Sequence, residues 1–269
     1  MGRVHIRFRY LCNLWSQVAR ESTPPQFDRW LVTYFKNLPQ LGRRDRRWYS
    51  DMAFACVRYA AYVGLLSHWQ DGDPVALAQT LMPDAQAAWD VVRKIPAEDF
   101  CHRVIASLAA REQLSEYAGS DADALASLSE SEATQISRLD AALAENSSLA
   151  ALCLRSGVPP SYAPFLAERV ARTPEFDSAK FLAMQAKRPP LWLRLNNPKH
   201  TNNVINELRR AGHDPITTDG AALGLSGDVR LNNLAAYSEG HVEIQDLASQ
   251  AIGDAVQTEA QHLVWDACA

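Results

Sequence analysis

The periodicity of this chain changes once, at Lys187-Arg188-Pro189-Pro190, and that change constrains the fold more than any other feature. Before it, apolar residues recur at three-and-four spacing, as on one face of a helix. After it, Leu191, Leu193 and Leu195 alternate with Trp192, Arg194 and Asn196. That period of two gives a strand two different faces. Paired prolines end a helix and start extended chain. The reading is a mainly helical part over 1–187, followed by a smaller part that contains strands.

In the helical part, Phe27, Trp30, Leu31, Tyr34, Phe35 and Leu38 make one apolar stripe over 27–38, an aromatic core helix. Pro39 and Gly42 break it. Trp48, Met52, Cys56, Tyr59 and Val63 then form a second helical face. At the start of this second helix lie Arg43, Arg44, Arg46 and Arg47 around Asp45, which is read as its cap. The helix dipole favours acids there, so four arginines do not serve helix stability. Two readings stay open. The guanidinium groups and free backbone N–H groups converge on a phosphate, or they form a solvated turn with Asp45 paired to an arginine. Further helices are expected over 74–82, 84–95, 97–118, 132–145, 147–155, 161–172 and 177–186. Trp69 and Trp89 read as packing residues. Ser120–Ser131, rich in Ser, Asp and Ala, reads as a mobile linker.

Beyond Pro190, Asn197-Pro198 marks a turn and Thr201 or Asn202 caps a helix that Gly212 ends. Strands are expected over 214–218 and 221–226, around the turn dipeptide Asp219-Gly220. Leu231 and Leu234 suggest a helical turn, and His241–Gln245 alternates as a strand. The order β-α-β-β-α-β fits a small α+β unit of ferredoxin-like or RRM-like type. Asp246 in Gln245–Ser249 is read as the cap of a last helix. Trp192, Arg194, Asn196 and Lys199 suit stacking and phosphate contacts to unpaired RNA. Equally, Trp192 packs inward and Arg194 pairs with an acid.

Charge and cysteines narrow the function classes. The net charge is −4, but residues 1–60 hold eleven Lys/Arg against four Asp/Glu, whereas 61–180 hold nine against seventeen. An RNA-contacting face would therefore come from the first sixty residues and from positions around 187–210. Cys12, Cys56, Cys101, Cys153 and Cys268 are odd in number and widely spaced. They fit neither a disulfide framework nor a zinc site and suit a reducing cytoplasm, with the first four as core residues. No signal peptide and no stretch of membrane-span length is read.

Three blocks carry a resemblance: RPPLWLRLNNPK over 188–199, GHVEIQDLASQ over 240–250 and VWDACA over 264–269. In this order they resemble the RsmB/NOL1/NOP2/Sun family of RNA 5-methylcytosine methyltransferases, most clearly over 188–269 and more loosely over 27–66. The resemblance implies three domains: a NusB-like or family-specific RNA-binding helical domain over 1–187, a small α+β RNA-binding domain over 188–240, and the truncated start of an α/β methyltransferase domain over 241–269. In the family, the segment similar to VWDACA leads into a Pro-Gly-Gly-Lys loop that holds S-adenosylmethionine. Only Cys268 and Ala269 coincide with that loop, a partial cofactor site. The family's nucleophile adds to the pyrimidine ring and sits in Pro-Cys or Thr-Cys motifs; the sequence has neither.

The expectation is the RNA-recognition part of an rRNA (cytosine-5) methyltransferase, cytoplasmic, without catalytic residues or a metal, and not binding S-adenosylmethionine on its own. Its RNA contacts would be Arg43, Arg44, Arg46, Arg47, Arg188, Trp192, Arg194, Asn196 and Lys199, with no DNA or membrane partner. The alternatives are a stand-alone helical RNA-binding, antitermination-like module and a protein-interaction scaffold.

Overall fold

The computed structural model describes residues 2–186, 189–218, 221–226, 229–256, 261 and 263. Arg188, the Asp219-Gly220 turn and the VWDACA block over 264–269, with Cys268 and Ala269, lie outside the described residues. The chain forms two compact units, 1–187 and 188–269.

The first unit is helical: α1 (Arg3–Val18), α2 (Phe27–Lys36), α3 (Arg43–Leu66), α4 (Pro74–Leu81), α5 (Ala85–Val92), α6 (Ala97–Ala110), α7 (Leu114–Ala118), α8 (Ala122–Ser127), α9 (Ala133–Glu145), α10 (Leu149–Arg155), α11 (Ala163–Arg172) and α12 (Ser178–Ala186). Long α3 is central and packs against α1, α5, α6 and α7. Its apolar face delivers Trp48, Met52, Cys56, Tyr59 and Val63 to one core with Leu11, Trp15, Phe100 and Ile105. Starts are set by local chemistry. Asp73 accepts from the N–H groups of Val75 and Ala76, with Pro74 at the first helical position. Asp84 and Ser148 cap α5 and α10 in the same way.

Two expectations fail here. The helix expected over 97–118 breaks at Arg111–Gln113, where Glu112 takes φ 57°, a left-handed conformation unusual for a side-chain-bearing residue. The stretch Ser120–Ser131 is no mobile linker. It forms α8 between two short 3-10 turns, with Leu125 fully buried and Ser129 Oγ 3.1 Å from His102 Nδ1. Asp121 is buried in an ion pair with Arg7. Small side chains made the stretch look like a linker, yet small side chains also let a short helix sit close to its neighbours.

The second unit holds β1 (Leu191–Leu195), α13 (Thr201–Arg210), β2 (Ile216–Thr217), β3 (Ala222–Leu225), α14 (Ala235–Ser238), β4 (Val242–Ile244) and α15 (Leu247–Ala255). The strands form one sheet in the order β2-β3-β1-β4, with every pair antiparallel. Consecutive β1 and β2 are separated by β3, and β3 and β4 by β1, which is split βαβ wiring. Leu193, Leu195, Leu223, Leu225 and Val242 face Val204 and Leu208 of α13. The Glu207 carboxylate of α13 accepts from the Ala235 and Ala236 N–H groups at 2.6 and 3.1 Å, so one helix caps the start of another. Gly212, at φ 86°, ends α13 as only glycine does cheaply. β4 pairs with β1, so the sheet extends past residue 240. Asp246 occupies the N-cap position of α15, but its side chain accepts no capping hydrogen bond.

Candidate nucleic-acid interface

The arginine cluster stands at the start of α3. Gly42, not Asp45, occupies the N-cap, and its extended backbone turns the chain into the helix. Asp45 lies in the first turn and accepts a 2.6 Å hydrogen bond from Arg7 of α1. Arg7 also pairs with Asp121 and lies over the Trp48 ring at 5.1 Å. Burial works against the Arg7 charge, but the hydrogen bonds and charges of Asp45 and Asp121 outweigh it and raise the guanidinium pKa. This triad pins the first turn of α3 to α1 and to the α7–α8 connection.

The four arginines then divide. Arg46 folds back, with Nε 2.9 Å from the Leu41 carbonyl oxygen and Nη2 3.2 Å from that of Leu38. It closes the α2–α3 loop and is committed to structure. Arg47 lies 3.6 Å from Asp51, one turn along the helix. Arg43 and Arg44 are exposed at the helix start. An acid paired to an arginine was expected as one alternative, but the partner is Arg7, thirty-eight residues away.

In the second unit, Trp192, Arg194 and Asn196 point away from α13, opposite Leu193 and Leu195. Trp192 is half-buried and lies on Gly224, its partner on β3; a Cβ at Gly224 would come within 2.9 Å of the ring. Glycine here makes room for the indole to lie across the sheet. Ile216, next in register on β2, is exposed beside it. Arg194 pairs with Glu243 of β4 at 2.8 Å, so its charge is matched within the sheet. Asn196 joins the same group: its Nδ2 donates to Glu243 Oε1 at 3.0 Å and to the Gly240 carbonyl at 2.9 Å. Lys199 is exposed on the 3-10 turn that follows.

Sequence reasoning missed several neighbours. His200 and His241 stack at 4.1 Å with planes 10° apart, next to Asn196. Glu243 was overlooked as the partner of Arg194. The alternation His241, Glu243, Gln245 held that signal, but only the β1–β4 register puts Glu243 opposite Arg194.

Cys12, Cys56 and Cys101, distant in sequence, come together where α1, α3 and α6 meet, and burial with its thiol neighbours pushes the Cys101 thiol well up. Burial also raises Cys153 to about 11. The Cys101 and Cys153 thiols therefore favour the protonated form and are poor nucleophiles. Among the described residues no group of three His, Cys, Asp or Glu is placed to hold a metal ion, and no helix is long and apolar enough to cross a membrane.

No family model matches the chain. Over 84 residues, 30% of this chain, it is 33% identical to the Ribosomal RNA small subunit methyltransferase B of Pasteurella multocida (strain Pm70). The matched stretch spans 19% of that relative's length. This similarity supports, over part of the chain, a relationship to the family that the three sequence blocks resemble.

Proposed function

We propose that this chain is an RNA-holding portion of an S-adenosylmethionine-dependent rRNA (cytosine-5) methyltransferase, working in the cytoplasm. The observation that carries the reading is the β1 face. Trp192 lies over Gly224 near the centre of a split βαβ sheet whose other face is closed by α13. An RRM-like or ferredoxin-like sheet uses its central strands in this way, stacking unpaired bases on aromatic rings. Lys199 follows on the same segment, whereas the Asn196 amide is already engaged by Glu243 and the Gly240 carbonyl; Arg43 and Arg44 add positive charge at the start of α3, as in a NusB-like helical domain. Arg46 leaves the proposed contact set because its Nε and Nη2 bonds to the Leu41 and Leu38 carbonyls fold the side chain back onto the α2–α3 loop.

S-adenosylmethionine enters as the cofactor of the resembled family. Cys268 and Ala269, which coincide with the start of its loop, lie outside the described residues, and the role proposed for the described residues is RNA holding. The test is binding of the chain to a fluorescent single-stranded rRNA oligonucleotide, measured by anisotropy at several salt concentrations. Binding that falls with salt and is weakened by Trp192→Ala supports the reading. Equal binding by wild type and Trp192→Ala refutes the role of the sheet.

A further inference from the structure

The helical unit contains a pocket with a polar floor. A pocket of about 350 Å³ is lined by Tyr59, Arg111, Gln113, Asp140, Arg155 and Ser156, with Leu152 and the α12 residues Ala179, Leu182 and Ala183 as its apolar wall. Its floor is an interlocked polar group. Arg111 lies over the Tyr62 and Tyr59 rings at 4.3 and 5.4 Å. Its Nη2 donates to Asp140 Oδ1 at 2.7 Å, and the same oxygen accepts from the Tyr62 hydroxyl at 2.7 Å. The Tyr59 hydroxyl donates to Gln113 Oε1 at 2.6 Å. These bonds fix Asp140 and Gln113 in place. They leave Asp140 Oδ2, Gln113 Nε2 and the Arg155 guanidinium without hydrogen-bond partners among the described residues.

The backbone pays a local cost to build this. Gly157, next to Ser156, takes φ 73° as glycine does cheaply, and a Cβ there would come within 3.2 Å of Tyr59; Glu112, between two of the lining residues, sits at φ 57°, where a side-chain-bearing residue is strained. Strained backbone of this kind clusters at ligand sites. What the pocket presents is one fixed acceptor, one fixed donor, one unmatched cation and an apolar wall. A nucleobase offers flat apolar faces and an edge with both an N–H donor and an acceptor, and its 5′-phosphate is an anion.

We propose that this pocket takes one nucleotide, with the base edge against Gln113 and Asp140 and the phosphate on Arg155. Resting on the proposed RNA-holding function, that nucleotide is an unstacked residue of the bound RNA. The probes are the four ribonucleoside 5′-monophosphates, with inorganic phosphate and ribose 5-phosphate as controls, titrated calorimetrically into the full chain. Ala183→Phe adds a ring at an exposed α12 position that lines the pocket, and Arg155→Gln removes the cation.

At least one nucleotide should bind, at least tenfold more tightly than either control. Ala183→Phe should weaken it tenfold or more, and Arg155→Gln by about tenfold, the worth of one charge-assisted hydrogen bond. The pocket assignment is overturned if no nucleotide binds, if inorganic phosphate binds as well as the nucleotides, or if both variants bind like wild type. RNA binding that Ala183→Phe leaves unchanged overturns the pocket while the sheet-based reading stands. Nucleotide binding without any RNA binding supports the pocket and sinks the RNA-holding function.

Discussion

The two units use their aromatic residues in opposite ways. The helical unit buries Trp15, Trp48, Trp69, Trp89, Phe100, Tyr59 and Tyr62, and Trp15 stacks on Phe100 at 4.1 Å. The small unit builds its core from leucine, valine and alanine, and keeps Trp192 on the face away from that core. An indole inside a core is explained by packing. An indole lying across a sheet whose core is already complete needs another account, and it is the better candidate for a ligand contact. Charge divides by burial rather than by unit: Arg7 is an internal tie between α1, Asp45 and Asp121, whereas Arg43 and Arg44 of the helical unit and Lys199 of the small unit are exposed.

The sharpest way to break this comparison is to truncate one ring from each class. Trp15→Ala should cost about 3–5 kcal/mol of stability, the usual range for a fully buried large aromatic, read as a lower urea midpoint. Trp192→Ala should shift that midpoint little. Its effect should appear in RNA affinity, weaker by about 1–3 kcal/mol for a stacked base. If Trp192→Ala unfolds the small unit instead, the ring is part of the core and the contrast fails.

Next in size is the arginine cluster, where the fold separates residues that are alike in sequence. The double variant Arg43→Ala/Arg44→Ala should lower RNA affinity and flatten the dependence of log affinity on log salt by roughly 0.7 for each phosphate no longer neutralised. Arg46→Ala should leave that slope alone and cost about 1 kcal/mol of stability by removing the bonds to the Leu38 and Leu41 carbonyls. A slope change with Arg46→Ala, and none with the double variant, would reverse the assignment.

What was legible in the sequence is what local spacing encodes. The apolar stripe of Phe27, Leu31 and Phe35, the face of α3, and the alternation Leu191–Leu195 all survive in the fold. The Asp73 and Asp84 caps were as local, each a short acceptor just before its helix, yet they were not singled out. What escaped depends on partners far along the chain. Asp45 looked like a cap because its partner, Arg7, is on another helix. The stretch around Leu125 looked mobile because nothing nearby shows that Asp121 meets Arg7, 114 residues away. The cysteines looked scattered because helix packing, not spacing, brings Cys12, Cys56 and Cys101 together. In the candidate site, Trp192, Arg194 and Asn196 were assigned to one strand face, but the acid that neutralises Arg194 required the register of β4.

That neutralisation supplies the smallest and most discriminating prediction. The Arg194–Glu243 pair is exposed, with 41% and 56% of the two side chains accessible, so it adds at most about 1 kcal/mol to stability. Its larger consequence is electrostatic: Glu243 cancels a cation on the face that holds Trp192 and sets a negative charge where phosphates would lie. Glu243→Gln keeps an acceptor for Arg194 or Asn196 while removing the charge. RNA affinity should then rise about twofold to threefold, with a salt slope steeper by roughly 0.7, and the unfolding midpoint should barely move. Glu239→Gln makes the same change of net charge beside His241, so it separates a general field effect from release of Arg194. A gain confined to Glu243→Gln places Arg194 against RNA. Equal gains from both variants reduce the effect to net charge, and a weaker affinity with Glu243→Gln means that the pair holds β1 and β4 in the shape RNA requires.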